Sequence, residues 1–352
     1  MKNNPTIQQI APPLIEWYAA NARDLPWREN HDPYRVWVSE IMLQQTRVEA
    51  VKGYYHRFLK ELPNIEALAK VDDDSLNKLW EGLGYYTRAR NLKKAAQRIV
   101  SDHNGHFPDN YSDVIALPGI GDYTAGAICS IAFDQPTPAV DGNVLRVVAR
   151  ILGDPTPVEL PDFKKQIRVN LASAYPKEAG EFTQALMELG ATVCIPNGKP
   201  SCDVCPCNGF CSAFKDQLTD VLPVRLPKRE RRTESLTVYI LNCDGRYAVE
   251  RRPKKGLLAG LWQFPNIPDK KTGQNALDAL EKLGIKPREL LKTVDREHIF
   301  THIKWEMRGV YVDVKEENDK YLWVTAEKLE REIALPTAFR QFWIIREEDQ
   351  NG

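Results

Sequence analysis

The sequence predicts a mostly α N-terminal part followed by an α+β C-terminal part, and three observations carry that expectation. The first is a glycine turn, Pro118-Gly119-Ile120-Gly121, set between two helical runs. Proline fixes φ and the glycines supply backbone conformations that other residues avoid, so the turn is tight. The second is a group of cysteines at the end of the helical region: Cys194, Cys202, Cys205 and Cys211, with Cys207 extra. The third is a change of character after a Pro-rich basic stretch, Pro223 to Ser235, beyond which β-like runs alternate with helical ones. The expected boundaries are therefore 1–222, a linker at 223–235, and 236–352, with the cysteine loop at 194–211.

A chain of 352 residues has ample length for two or three domains with sizeable cores. Lys+Arg and Asp+Glu both number 48, so the net charge is zero and any nucleic-acid surface must be a local patch. No apolar run approaches a membrane span and the N-terminus lacks a signal-peptide pattern, which predicts a cytoplasmic protein with no membrane partner. There the seven cysteines stay reduced, and four clustered thiols point to metal before disulfide.

Residues 8–22 place Ile10, Leu14, Ile15 and Tyr18 on one helical face. Next comes Arg23-Asp24-Leu25-Pro26-Trp27-Arg28. It reads either as a core anchor (Trp27) between solvated arginines or as a DNA-facing loop of Arg23, Trp27 and Arg28. Val36 to Tyr54 reads as helix, turn, helix. Glu40 lies there among Val36, Trp37, Val38, Ile41, Met42 and Leu43. A carboxyl in so apolar a stretch keeps its proton near neutrality and suits a general acid, the alternative being a glutamate on a solvent face. Leu76 to Leu92 sets Gly82, Gly84, Tyr85 and Tyr86 before a helix carrying Arg88 and Arg90. Such a stretch forms either an aromatic wedge that fills the gap left by an extruded base, or an ordinary helix–helix turn.

Asp109 to Leu117 reads as a short helix. A second one is expected to start after the glycine turn, with Asp122 as its N-cap and Thr124 to Ala132 small and apolar. Helix, hairpin and helix put bare backbone N–H groups at Gly119 and Gly121, an arrangement that binds phosphate without reading sequence. Asp141 follows in Val140-Asp141-Gly142-Asn143, ahead of a helix from Val144 to Leu152. A carboxylate near a phosphate site is electrostatically awkward, which argues for a chemical task; a capping role is the alternative. Lys177 to Val193 is helical and leads into Cys194-x7-Cys202-x2-Cys205-x5-Cys211. Zinc is one occupant, but structural zinc sites usually show two close ligand pairs. One close pair flanked by single cysteines fits a [4Fe-4S] loop better. In the last part, Leu236 to Leu241, Tyr247 to Arg251, Trp305 to Val314 and Tyr321 to Val324 read as strands. Helices are expected from Ala276 to Leu283 and from Thr337 to Arg346.

Leu117 to Asn143 resembles the helix-hairpin-helix-Gly/Pro-Asp signature of the DNA glycosylases related to endonuclease III. Glu40-Ile41-Met42-Leu43-Gln44-Gln45-Thr46 is similar to the adenine-specific mismatch glycosylases, the MutY family. Trp80 to Leu92 continues that likeness, and Arg251 to Pro265 resembles the family's Nudix-like C-terminal domain. The resemblance spans nearly the whole chain, with its motifs in order.

It implies a helix-hairpin-helix glycosylase region with an iron–sulfur loop, joined to a Nudix-like lesion-recognition domain. The implied partner is double-stranded DNA holding A:8-oxoguanine or A:G mispairs, bound by a monomer associated with the nucleoid. In the family's scheme Glu40 protonates the adenine and Asp141 is the catalytic aspartate, with Tyr123 and Asn143 orienting both. Leu43, Gln45, Thr46, Leu83, Tyr85 and Arg88 lie at the lesion or the DNA, and Gln184 faces the adenine. The hairpin, with Gly119 and Gly121, holds the backbone together with a monovalent or calcium cation. Cys194, Cys202, Cys205 and Cys211 ligate the [4Fe-4S] cluster, although the family's first gap normally has six residues and this chain has seven. The acidic magnesium-binding helix of working Nudix hydrolases is missing after Pro265, so this domain is expected to recognise and not to hydrolyse. Its expected reading element is Phe300-Thr301-His302, where the family usually has Phe-Ser-His. Strand-cutting relatives carry a lysine at the place of Tyr123, which implies a monofunctional enzyme. Two rivals stand beside this reading: a glycosylase/lyase acting on oxidised pyrimidines, and a non-enzymatic iron–sulfur DNA-binding protein.

Overall fold

The computed structural model describes residues 7–227 and 230–350, the last six by backbone alone. Lys228 and Arg229, within the expected linker, lie outside the described residues. Along the chain run α1 (Ala11–Asn21), α2 (Pro33–Leu43), α3 (Val48–Glu61), α4 (Ile65–Lys70), α5 (Asp73–Leu79), α6 (Thr87–Asp102), α7 (Tyr111–Ala116), α8 (Asp122–Phe133), α9 (Gly142–Leu152), α10 (Pro161–Ala172), α11 (Ala179–Thr192) and α12 (Ser212–Lys215). Then follow β1 (Arg232–Cys243), β2 (Arg246–Arg251), β3 (Trp262–Gln263), β4 (Asn266–Pro268), α13 (Gly273–Lys282), β5 (Pro287–Ile299), β6 (Ile303–Val314), β7 (Leu322–Thr325), α14 (Ala326–Arg331) and α15 (Thr337–Gln350). Contacts divide the chain into Met1–Lys70 with Asn91–Pro227, and Val71–Arg90 with Lys228–Gly352. Among the described residues no helix is long and apolar enough to cross a membrane.

The first unit is helical. α9 is buried on nearly every side: Val144 to Ile151 are all buried, including Arg146 and Arg150, which lie one turn apart. A helix of that kind belongs in a core. Leu14 and Tyr18 of α1, Phe163 and Ile167 of α10, and Phe182 and Leu186 of α11 pack in the same cluster. α8 is built from small residues because other backbone runs past it closely. A Cβ on Gly126 would meet the Pro138 carbonyl oxygen at 2.2 Å. That approach lets the Pro138-Ala139 segment lie on α8 and brings Asp141 to its place.

The hairpin sits between α7 and α8. Gly119 has φ 79°, and a Cβ there would also meet the Asn91 side chain at 2.5 Å. The helix after it starts right behind the turn, as the sequence suggested, but with a different cap. Gly121, not Asp122, is the N-cap, and no side chain caps it. Asp122 is already helical, and its carboxylate is taken by the Tyr111 hydroxyl at 2.7 Å and by Arg168. Those partners hold its pKa below the usual range, the Tyr111 bond first. The first N–H groups of α8 are thus left without a side-chain cap beside the exposed Gly119 and Gly121.

The second unit is a mixed seven-stranded sheet in the order β3-β2-β1-β6-β5, with β4 on β1 and β7 on β2. β1 and β6 are parallel, with Leu236 opposite Met307 and Ile240 opposite Tyr311, while β5 and β6 are antiparallel. Alternation along the strands feeds two cores. Val238, Ile240 and Met307 pack with Phe339, Phe342 and Trp343 of α15. Tyr239, Leu241, Val310 and Val312 pack with Ala276 and Leu280 of α13. β1 starts at Arg232, inside the expected linker. β5 had no counterpart in the sequence reading, because this edge strand is charged and exposed along most of its length.

Candidate active site

Within the first unit α2, the α2–α3 turn, the start of α8, the loop before α9 and α11 enclose a cavity of about 530 Å³. That volume falls in the range of small-ligand pockets. Its walls include Glu40, Tyr123, Asp141, Asn143 and Gln184, from α2, the start of α8, the start of α9 and α11.

Glu40 is buried to 6% exposure, and the Tyr123 hydroxyl donates to its Oε2 at 2.7 Å. Burial pushes the Glu40 carboxyl up to about 7, against the pull of the Tyr123 hydrogen bond, while Asp141 raises it further and Arg28 lowers it. The Tyr123 phenol is pushed well above its ordinary value by the same burial, so it remains a donor. Asp141 is the N-cap of α9. It accepts from Val144 N at 2.8 Å and from Asn143 Nδ2 at 2.9 Å. Burial raises its pKa, and these hydrogen bonds oppose the rise. Asn143 is held in turn by Arg146, whose Nη2 donates to Asn143 Oδ1 at 2.8 Å and to Gly190 O at 2.7 Å. Two carboxyls, one half-protonated near neutrality and one bound by donors, face the same space. That division suits an acid and a charge stabiliser.

Glu188 of α11 went unnoticed in the sequence, where it is one glutamate of an amphipathic helix. It is fully buried on the cavity wall. Arg23 donates to it through Nε at 2.6 Å and Nη2 at 3.0 Å, and Arg28 through Nη2 at 2.7 Å. Burial alone would raise its pKa, but the two arginines outweigh this and hold it low. Arg23 and Arg28 are therefore tied to Glu188 in the cavity wall, Arg28 largely buried and Arg23 partly exposed. Trp27, 8% exposed, stacks edge-on against Tyr55 at 5.6 Å and acts as a core anchor beside the same cavity. Gln184 accepts from the Tyr18 hydroxyl at 3.2 Å. Leu43, Gln45 and Thr46 all line the cavity, Gln45 being exposed at φ 57°.

Residues 38–166 match the family of HhH-GPD superfamily base excision DNA repair proteins, and residues 236–344 match the NUDIX domain. The adenine DNA glycosylase of Rattus norvegicus is 33% identical, over 96% of this chain and 78% of that protein. That of Buchnera aphidicola subsp. Acyrthosiphon pisum is 32% identical, over 92% of this chain and 93% of its own. The chain belongs to the adenine DNA glycosylase family. Against the Arabidopsis thaliana adenine DNA glycosylase it is 37% identical and spans 57% of that protein's length. Among solved structures, a thermostable thymine-DNA glycosylase is similar with a TM-score of 0.55 and 29% identity, over 59% of this chain and 97% of that one. A non-covalent endonuclease III–DNA complex shares the fold, with a TM-score of 0.51 at 23% identity over 61% of this chain and 99% of that one.

The cysteine loop of this glycosylase family member closes on α9. Cys194, Cys202, Cys205 and Cys211 line one small cavity together with Arg150, whose Nη1 lies 3.3 Å from the Cys194 sulfur. Among the described residues no three metal-ligating side chains converge on a single-ion site. Four thiols spread around one space next to a guanidinium suit a polynuclear, anionic group better than one zinc ion. Cys207 is fully buried, a free thiol beside Cys205, and does not line the cavity.

The remaining candidates lie in the second unit. Phe300 N donates to Ile303 O at 2.8 Å, so Thr301 and His302 form the exposed tip of the β5–β6 hairpin. Phe300 itself packs between His298 at 4.5 Å and Trp305 at 4.9 Å. Tyr85 is 48% exposed and its hydroxyl meets Thr301 Oγ1 at 3.0 Å. Leu83, expected at the DNA, is 6% exposed and packs inside. Arg88 turns inward as well: its Nη2 donates to Leu83 O at 2.9 Å and Gly84 O at 3.2 Å. Burial lowers its pKa to about 10. Its guanidinium thus ties the turn that precedes α6.

Proposed function

We propose that this enzyme removes adenine mispaired with 8-oxoguanine or guanine, as a monofunctional base excision repair glycosylase. The observation that carries the reading is the buried Glu40, held by Tyr123 and poised near neutral pKa across one cavity from Asp141. A base inside a duplex cannot reach that cavity, so the adenine must be extruded. Adenine leaves poorly as an anion. Glu40 in its acid form donates a proton to the ring at N7. The C1′ left behind carries oxocarbenium character, which the Asp141 carboxylate stabilises, and water completes the sugar. Arg23, Arg28 and Glu188 form the rigid wall, while Gln184 and Gln45 are placed to address the base. The uncapped hairpin N–H groups, with a monovalent or calcium cation beside them, hold a DNA phosphate.

Cys194, Cys202, Cys205 and Cys211 would hold a [4Fe-4S] cluster, which supplies cross-linking of the loop and no redox turnover. The unit of β5, β6 and the Tyr85 turn reads the lesion through Tyr85, Thr301 and His302. We place the protein, as a monomer, in the cytoplasm at the nucleoid.

The test is excision from duplexes with A opposite 8-oxoguanine, G, C and T, with products compared before and after hot alkali. Fastest release opposite 8-oxoguanine, with the strand intact until alkali is added, is expected. Tyr123 stands where strand-cutting relatives use a lysine, and a phenol forms no imine. Efficient borohydride trapping, or activity confined to oxidised pyrimidines, would overturn the proposal.

A further inference from the structure

Glu81 lies in the Trp80–Tyr85 turn, and none of the roles above uses it. Its side chain is 11% exposed and gathers donors from two directions. Lys78 Nζ reaches its Oε2 at 2.7 Å and also donates to Ile333 O at 3.1 Å. From the segment ahead of α15, the Leu335 backbone N–H donates to its Oε1 at 2.8 Å. Arg340 of α15 lies 3.3 Å and 3.4 Å from its two oxygens, and is itself held by Glu330. Glu330 also accepts from Trp343 Nε1 at 3.1 Å. A largely buried carboxylate that gathers donors from two segments in this way is a rigid joint, since its loss would loosen all of them together.

What the joint carries is the short path to Tyr85. Trp80, wholly buried beside Glu81, donates from Nε1 to Gly84 O at 3.1 Å. Gly84 O also takes Arg88, so the carbonyl preceding Tyr85 is fixed twice. Tyr85 then stands at φ 47°, a conformation disfavoured for a side-chain-bearing residue, with its ring exposed and its hydroxyl on Thr301. Residues held in such conformations need surroundings that over-determine them.

We propose that Glu81 is a positioning residue for lesion discrimination: it anchors the turn that presents Tyr85 to Thr301. The inference rests on the reading of Tyr85 and Thr301 as lesion contacts. Glu81 touches neither base, and acts by keeping those two groups in register.

The experiment measures single-turnover excision of A opposite 8-oxoguanine and opposite G, each normalised to active enzyme, for Glu81→Ala, Glu81→Gln, Tyr85→Phe and Thr301→Ala. In Glu81→Ala the preference for 8-oxoguanine should fall roughly tenfold, the scale expected for a small misplacement. Excision opposite G should stay unchanged. Glu81→Gln, which keeps an acceptor for Leu335, should recover part of the preference and serves if the alanine variant does not fold. Glu81→Ala with Tyr85→Phe should lose no more than Tyr85→Phe alone, as expected for two residues acting through one contact. A merely structural role would lower both substrates equally, and an unchanged ratio in both Glu81 variants beside a reduced one in Tyr85→Phe overturns the inference. If Tyr85→Phe and Thr301→Ala also leave the ratio unchanged, the lesion-contact reading is wrong and the inference falls with it.

Discussion

The Tyr123 hydroxyl donates to Glu40 Oε2 at 2.7 Å, joining residues that are 83 positions apart. Glu40 is placed on α2 by its apolar neighbours, and Tyr123 on the first turn of α8 by the hairpin. The contact keeps the carboxyl close to the point of half-protonation. Without it, burial would push the carboxyl's pKa higher still.

Glu40→Gln and Asp141→Asn should each reduce single-turnover adenine release by roughly a thousandfold or more while leaving mismatch binding nearly intact. Both changes keep shape, the first removing acidity and the second charge. Rapid-quench excision and gel-shift binding measure the two effects separately. Near-normal release in either variant would contradict the assignment.

The pH profile follows from the same contact. Glu40 donates only while protonated, so the rate should hold on the acid side and fall as pH rises through about 7. The Tyr123 bond favours the carboxylate and lowers that pKa. Tyr123→Phe should therefore shift the alkaline limb to higher pH, whatever it does to the plateau. Excision rates from pH 5.5 to about 9 would reveal the shift, and a limb moved to lower pH would refute the assignment.

Stability should show the reciprocal. A carboxyl whose folded pKa is raised costs nothing below its unfolded value near 4.5, and destabilises progressively as pH rises through about 7. Glu40→Gln removes that cost. At pH 8 the variant should be more stable by up to about 3 kcal/mol, from the size of the shift, and the gain should vanish below about pH 4.5. Urea unfolding at the two pH values gives the comparison, and a gain of equal size at both would point to packing instead.

The cysteines make a separable prediction. Cys205→Ser should lose iron, whereas Cys207→Ser should keep about four irons per chain, because Cys207 does not face the shared cavity. Metal analysis of anaerobically purified protein tests this, and stoichiometric zinc would contradict the iron–sulfur assignment.

Local chemistry made much of this legible in advance. The Pro118 to Gly121 turn, the small residues of α8, the apolar run around Glu40 and the cysteine spacing are short-range patterns, and each follows from conformational preference or ligand geometry at neighbouring positions. Family resemblance supplied the rest of the early picture, including Thr301 and Gln184. Tertiary packing decided what no window of sequence contains. Glu188 meets Arg23 and Arg28 from 165 and 160 positions away and ties both to the cavity wall. The segment before α6 belongs to the second unit, where Glu81 meets Arg340 across 259 positions. β5 forms although its residues are largely exposed and charged, since β6 supplies the partner its backbone needs. Periodicity reports which face of an element is apolar. Which distant side chain satisfies a buried charge depends on how those faces pack, and only the folded chain determines that.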